Sequence, residues 1–167
     1  MSKTKAIPEG CEGIIVHLVV DNASGALDFY AKAFGAEEIY RAATPDGSKI
    51  MHAEMRIGQS VVYIADDFPE WSGTSRTPKA LGGSPFNIHQ YVLDTDAAVA
   101  RAKKAGATVT MEPEDMFWGD RYAKVTDPYG HEWGIATRVK NLTPAEMKKA
   151  ADAFMKEAAK KAQTAGA

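Results

Sequence analysis

Thr126-Asp127-Pro128-Tyr129-Gly130-His131-Glu132-Trp133-Gly134-Ile135-Ala136-Thr137 reads as the end of one strand, a tight turn and the start of another. Proline fixes its own φ and pushes the residue before it out of helical space, so Asp127-Pro128 opens the turn. Gly130 supplies the positive φ that closes it. Trp133, Ile135 and Thr137 then alternate with Glu132, Gly134 and Ala136 at strand period. Arg121 to Thr126 and His131 to Thr137 are the two arms of a hairpin about Gly130, and His131, in the turn, is expected at the surface.

Working outward, the elements around this hairpin occur twice. In the second half, Phe86 to Leu93 reads as a strand and Asp94-Thr95-Asp96 caps a helix from Ala97 to Ala105. Gly106 ends that helix, a strand follows over Thr108 to Glu112, and an acidic loop runs through Pro113, Glu114 and Asp115. In the first half, Gly13 to Asp21 is a β-branched strand and Asn22 or Ser24 caps a helix that ends at Gly35. Glu37 to Ala43 is a strand, and Lys49 to Ile57 with Gln59 to Ala65 form a hairpin about Gly58. His17 and His89 are 72 residues apart, as are Gly58 and Gly130, and Gly35-Ala36 precedes Gly106-Ala107 by 71. A fixed offset of this kind marks an internal repeat. Each copy is β-α-β-β-β, and neither can bury its sheet alone, so the two are expected to pack as a pair.

The predicted organisation is an N-terminal arm (1–12), a first module (13–65), a connector (66–85), a second module (86–138) and a helical tail (139–167). The connector is rich in Asp, Pro, Gly, Ser and Thr and reads as a link or a lid without regular structure. In the tail, Thr143-Pro144-Ala145-Glu146 is a capping box. Met147, Ala150, Ala151, Phe154 and Ala158 form a narrow apolar stripe opposite lysines. That helix either packs on its own body or docks on a partner.

The 167 residues carry 20 Lys and Arg against 22 Asp and Glu, a net charge of −2, with 45% hydrophobic residues. This composition fits a globular domain and gives no electrostatic footprint for nucleic acid or an anionic membrane. The single cysteine, Cys11, excludes an intrachain disulfide and fits a reducing compartment; with no His near it in sequence it is expected to be an inert thiol. No apolar run is long enough for a signal peptide or a membrane span, so the expectation is a cytoplasmic protein.

Asp28-Phe29-Tyr30, Phe34-Gly35-Ala36 and Asp127-Pro128-Tyr129-Gly130-His131, set in paired β-α-β-β-β modules, resemble the vicinal oxygen chelate superfamily of glyoxalases, bleomycin-resistance proteins and dioxygenases. Met51-His52-Ala53-Glu54, Leu81-Gly82-Gly83-Ser84-Pro85 and Phe117-Trp118-Gly119-Asp120-Arg121-Tyr122 are similar to its PhnB-like subgroup. The resemblance implies an α+β fold of two incomplete barrels, each cupping a cleft, and a homodimer. It also implies a divalent metal held by His, Gln or Glu on the first and last strands of the modules. Carried across by spacing, those positions fall on Ile15, Val62, Asn87 and Gly134, none of which supplies a good transition-metal ligand.

The residues left to carry chemistry are polar and aromatic. His17, His52, Glu54 and His89 are the candidate acid–base residues: His17 and His89 are repeat-related, and His52 and Glu54 share one face of a strand. Tyr63, Tyr91, Trp118, Arg121 and Tyr122 are the candidate ligand-binding residues, an aromatic with an arginine being suited to a flat or anionic ligand. Core packing is the stronger reading for Trp133. The alternative near Trp118 is a loop anchor beside an Asp120/Arg121 surface pair. The expectation is a protein that binds a small organic molecule without a resident metal or other cofactor. A metal lyase or dioxygenase with a relocated His/Glu site, and a non-catalytic structural or regulatory dimer, stand as alternatives. Fold alone does not choose among them.

Overall fold

The structure is a computed structural model and describes residues 4–8 and 10–165. Residues 1–3 and 9 of the expected arm, and the last two of the tail, lie outside the described residues. The first module runs β1 (Val16–Val20), α1 (Ala23–Phe34), β2 (Glu37–Ala43), β3 (Ile50–Ile57) and β4 (Ser60–Asp66). Two short helices follow, α2 (Pro69–Ser72) and α3 (Pro78–Leu81). The second module runs β5 (Asn87–Tyr91), α4 (Thr95–Ala105), β6 (Thr108–Asp115), β7 (Asp120–Thr126) and β8 (Glu132–Arg138), and α5 (Pro144–Ala165) closes the described chain.

Each module folds into a four-stranded mixed sheet, ordered β1-β4-β3-β2 in the first and β5-β8-β7-β6 in the second. The first strand pairs in parallel with the last, because the intervening helix crosses over one face. The architecture is α+β with the repeat that the 72-residue offset predicts. Helix α1 covers the first sheet and α4 the second, and the two helices lie against each other. One core results: Leu18, Tyr30, Met55 and Ile64 from the first module join Val99, Val125, Trp133 and Ile135 from the second. Trp133 packs against Phe34 with the rings tilted by 32° and their centroids 4.3 Å apart.

Local signals explain the boundaries. The Asn22 side chain accepts from Gly25 N–H at 2.9 Å and Asp94 from Ala97 N–H at 3.0 Å, so these are the two caps. Buried Asp66 accepts from Ala23 N–H at 2.8 Å and Ile50 N–H at 2.6 Å, fixing the start of α1 to that of β3. Thr143 and Glu146 make the reciprocal capping box at the head of α5.

The structure corrects several expectations. The connector contains two helical turns, each started by a proline and ended by a glycine. The acidic segment Pro113–Asp115 is not a loop: β6 continues through it, paired to β7 with shifts in register. β1 and β5 are shorter than predicted, five residues each. In the tail stripe only Met147, Ala150 and Ala151 are half-buried, and Phe154 stays exposed beside Phe117. His131 is 4% exposed, not at the surface.

That last correction has a clear cause. The Asp127 carboxylate folds back into its own turn and accepts from Tyr129 N–H and His131 N–H, both at 2.9 Å. Its other oxygen accepts from Trp133 Nε1–H at 3.0 Å and from the Tyr30 hydroxyl of α1 at 2.7 Å. The turn is drawn inward by a carboxylate with four donors, and it locks one module to the other.

Candidate functional site

Each sheet has a face covered by its helix and an opposite face, called here the cleft face. Strand alternation decides which residues reach it. On the first sheet, His17 lies opposite Tyr63 and Tyr63 opposite Glu54, with His52 two residues from Glu54 on β3. Four predicted site residues therefore share one face. His52 packs edge-on against Tyr63 with centroids 4.7 Å apart, and His17 lies 6.1 Å from both rings. His52 Nε2 is 3.3 Å from Glu54 Oε1, the contact of a base and the group that orients it. Burial and the neighbouring His52 push the His17 imidazole below its ordinary pKa.

Cys11 joins this cluster. Its Sγ lies 3.7 Å from the Tyr63 hydroxyl, and this contact leads the influences that raise the tyrosine's pKa. Sequence distance hid the pairing, since 52 residues separate the two. Among the described residues no group of three His, Cys, Asp or Glu side chains comes together so as to hold a metal ion.

On the second sheet, His89 lies opposite Gly134, Gly134 opposite Lys124, and Tyr91 and Tyr122 lie on either side of Ala136. His89 and Tyr122 stack 5.8 Å apart with planes 11° from parallel, Tyr91 tilts against His89 at 5.0 Å, and Trp118 stands edge-on to Tyr122 at 5.8 Å. These rings, with Lys124, Arg138 and Met147 of α5, line a depression of about 490 Å³. Burial pushes the Tyr122 phenol above its usual pKa. Arg138 is held by Asp120 and the Tyr91 hydroxyl. Lys124 is half-buried, and its side chain makes no hydrogen bond or ion pair with the described residues.

Arg121 is placed elsewhere. Its strand neighbour Tyr122 faces the cleft, so Arg121 faces α4, where it pairs with Asp96 and, at 3.2 Å, with Asp115. These carboxylates raise its pKa further. Asp120 pairs with Arg138 and not with Arg121, so the expected Asp120/Arg121 surface pair does not form. Lys124 and Arg138 are the cations that line the depression with Tyr122, and Arg138 is taken up by Asp120. The signal for Lys124 was present in the sequence as the i, i+2 spacing from Tyr122. Met147 and Arg138 had no comparable signal, because tertiary packing alone brings them to the depression.

The register also tests the metal positions that the resemblance implies. Val62 pairs with Val16 and points into the core; the residue that lies opposite His17 on the cleft face, as Gly134 lies opposite His89, is Tyr63. A one-residue slip moves a side chain to the other face. The slip arises because the β3–β4 turn is two residues long while the Gly130 turn is five. At Gly134 a Cβ would lie 2.7 Å from the Tyr122 hydroxyl and 3.1 Å from His89 Nδ1. Tyr122 and His89 thus occupy the space a ligating side chain would need. Tyr63, Gly134, His17 and His89 do not compose a donor set for a divalent metal, and no step is assigned to one.

The model of the Glyoxalase/Bleomycin resistance protein/Dioxygenase superfamily matches residues 14–135. The chain belongs to this superfamily. It is 48% identical over 135 residues to an uncharacterized protein of Mycobacterium tuberculosis, a match that covers 80% of this chain and 79% of that one. Among solved structures it resembles a gene product of Arabidopsis thaliana (28% identity, 74% of this chain and 97% of that one, TM-score 0.61). It also resembles TioX from Micromonospora sp. ML1 (26% identity, 76% and 98%, TM-score 0.59). The superfamily assignment fixes the paired-module fold and leaves the chemistry to the site residues. No helix is long and apolar enough to cross a membrane among the described residues.

Proposed function

We propose that this superfamily member binds a small planar organic anion on the cleft face of its second sheet, without a resident metal. One observation carries the reading: on a half-buried residue, the Lys124 side chain has no hydrogen-bond or ion-pair partner among the described residues, in a depression walled by His89, Tyr91, Trp118 and Tyr122 where Asp120 is taken up by Arg138. Stacked and edge-on rings accept a flat ligand, and an unneutralised cation in partly desolvated surroundings favours one negative charge. With no side chain at Gly134, the Tyr122 and His89 rings close over that part of the floor and form its aromatic surface.

The test is thermal stabilisation by 2-naphthoate against 2-naphthamide, its uncharged counterpart. The acid should stabilise the protein, by RT ln(1 + [L]/Kd), and the amide should bind at least tenfold more weakly. Lys124→Ala should erase that preference and Trp118→Ala should weaken both ligands. Equal binding of acid and amide, or an unchanged preference in Lys124→Ala, overturns the assignment.

A second reading concerns turnover. The His52–Glu54 contact beside His17 and Tyr63 supports metal-free acid–base chemistry on the first sheet's cleft face, with His52 as the base and Glu54 holding it. Turnover that survives exhaustive chelation and falls 10²-fold or more in His52→Gln supports it; the magnitude is that of general acid–base catalysis. The reading includes the PhnB-like subgroup, whose Met51-His52-Ala53-Glu54 segment forms this part of β3, and a homodimer. The homodimer is the arrangement that the superfamily resemblance implies. Light scattering at twice the chain mass is the expected result, and a monomer at working concentration refutes the dimer.

A further inference from the structure

Edge strands of both sheets line one cavity. β1 has one neighbour, β4, and β5 has one neighbour, β8, so β1 and β5 present unpaired edges across the module junction. A cavity of about 260 Å³ lies there, distinct from the cleft-face depression and separated from it by His89, which lines both. Val16 and Val62 wall it from the first module, Ile88 and Trp133 from the second, and no lining residue carries a formal charge. The polar group of interest is Gln90. Its side chain lines the cavity, and its Oε1 is buried with no hydrogen-bond partner among the described residues.

An orphaned amide oxygen costs folding free energy unless something satisfies it. The terminal torsion of glutamine is broad, so a half-turn exchanges the oxygen with the NH2 group and presents Oε1 to the cavity. We propose that this junction cavity is a binding site for a compact, uncharged, mainly apolar ring compound carrying one N–H donor. The walls exclude an ion, since no counter-charge is present to offset desolvation. The size limits the ligand: an aliphatic cavity of about 150 Å³ takes up benzene, so the junction admits one fused bicycle and falls short of a drug-sized molecule. The N–H completes the bond that Gln90 lacks. The site is independent of the cleft-face reading, since it needs a neutral ligand and no lysine.

Indole and indene test it on the full-length protein. They share a bicyclic skeleton, and only indole has the N–H. Indole should raise the melting temperature, and in ¹H–¹⁵N spectra it should shift the amides of Ile88 and Gln90 and the indole N–H of Trp133. Indene should bind roughly tenfold more weakly, the order expected when one buried hydrogen bond is missing. Gln90→Leu, which keeps the apolar volume, should abolish the preference without altering 2-naphthoate binding. Lys124→Ala should leave indole binding intact while removing the response to 2-naphthoate, so each reading can fail without the other. Equal affinities for indole and indene in the wild-type protein overturn the proposal, as do shifts confined to Trp118 and Tyr122. Absence of any response to indole overturns it too and identifies the cavity as a water site.

Discussion

Replacing Tyr30 by Phe removes one oxygen and nothing else, and it probes the contact that joins the modules. The Tyr30 ring is fully buried, and its hydroxyl donates to Asp127 across 97 residues of chain. Asp127 keeps its other three donors in the variant, so the loss is one hydrogen bond to a charged acceptor, about 1.5–3 kcal/mol. For a protein of this size each kcal/mol moves Tm by about 2–4 °C, so a fall of about 3–12 °C is expected. Asp127→Ala is harsher. It strands the Tyr30 hydroxyl, the Trp133 indole N–H and the backbone N–H groups of Tyr129 and His131. Relaxation and water recover part of that, leaving about 3–5 kcal/mol, the upper range for a single substitution. Urea unfolding followed by circular dichroism measures each variant, and the double variant completes a cycle. The two changes share one bond, so together they should cost at least about 1 kcal/mol less than their sum. A Tyr30→Phe loss below about 0.5 kcal/mol, or strict additivity, would refute the claim that this carboxylate binds the modules together.

The remaining predictions concern pH, space and the tail. His131 is buried, and burial lowers its pKa despite the opposing charge of Asp127 and the nearby Val19 backbone. The unfolded chain then takes up its proton first as pH falls below about 6.5, so stability is present above that pH and is lost below it. The slope cannot exceed about 1.4 kcal/mol per pH unit for one group, and His131→Phe should flatten it; an unchanged acid limb refutes the role. His17, lowered in the same direction, should leave a smaller residue of that slope. Gly134→Ala forces a Cβ against Tyr122 and His89 and should cost about 1–3 kcal/mol by overpacking; Tyr122→Phe should recover part of it, and no recovery means the strain lies elsewhere. Met147→Ala opens the depression beside Trp118 and should weaken 2-naphthoate several-fold, measured by calorimetry, with little change in melting temperature.

The repeat and both hairpins were legible because they rest on local rules. A β-branched run, a capping Asn or Asp, a helix-ending glycine and an Asp-Pro turn each act within a few residues, and the 72-residue offset copies them. β6 was cut short for the same reason: Pro113, Glu114 and Asp115 read locally as a loop, whereas pairing with β7 extends the strand through them. The site was legible in part. Period-2 alternation put His52 and Glu54 on a common face of β3, strand pairing then set His17 and Tyr63 beside them, and the same alternation, applied to Tyr122, would have chosen Lys124 over Arg121.

The sequence by itself determined the α+β class and the paired modules, because residue type and spacing suffice for those. Only the tertiary structure decided which face each strand turned to the cleft, since two turns of unequal length displaced the register of β4 against that of β8. Only it brought Cys11 to Tyr63, Met147 to Trp118 and Tyr30 to Asp127, and left the oxygen of Gln90 without a partner. Those contacts span 29 to 97 residues or depend on an absence, and the chain acquires them only when two sheets and two helices close on one core.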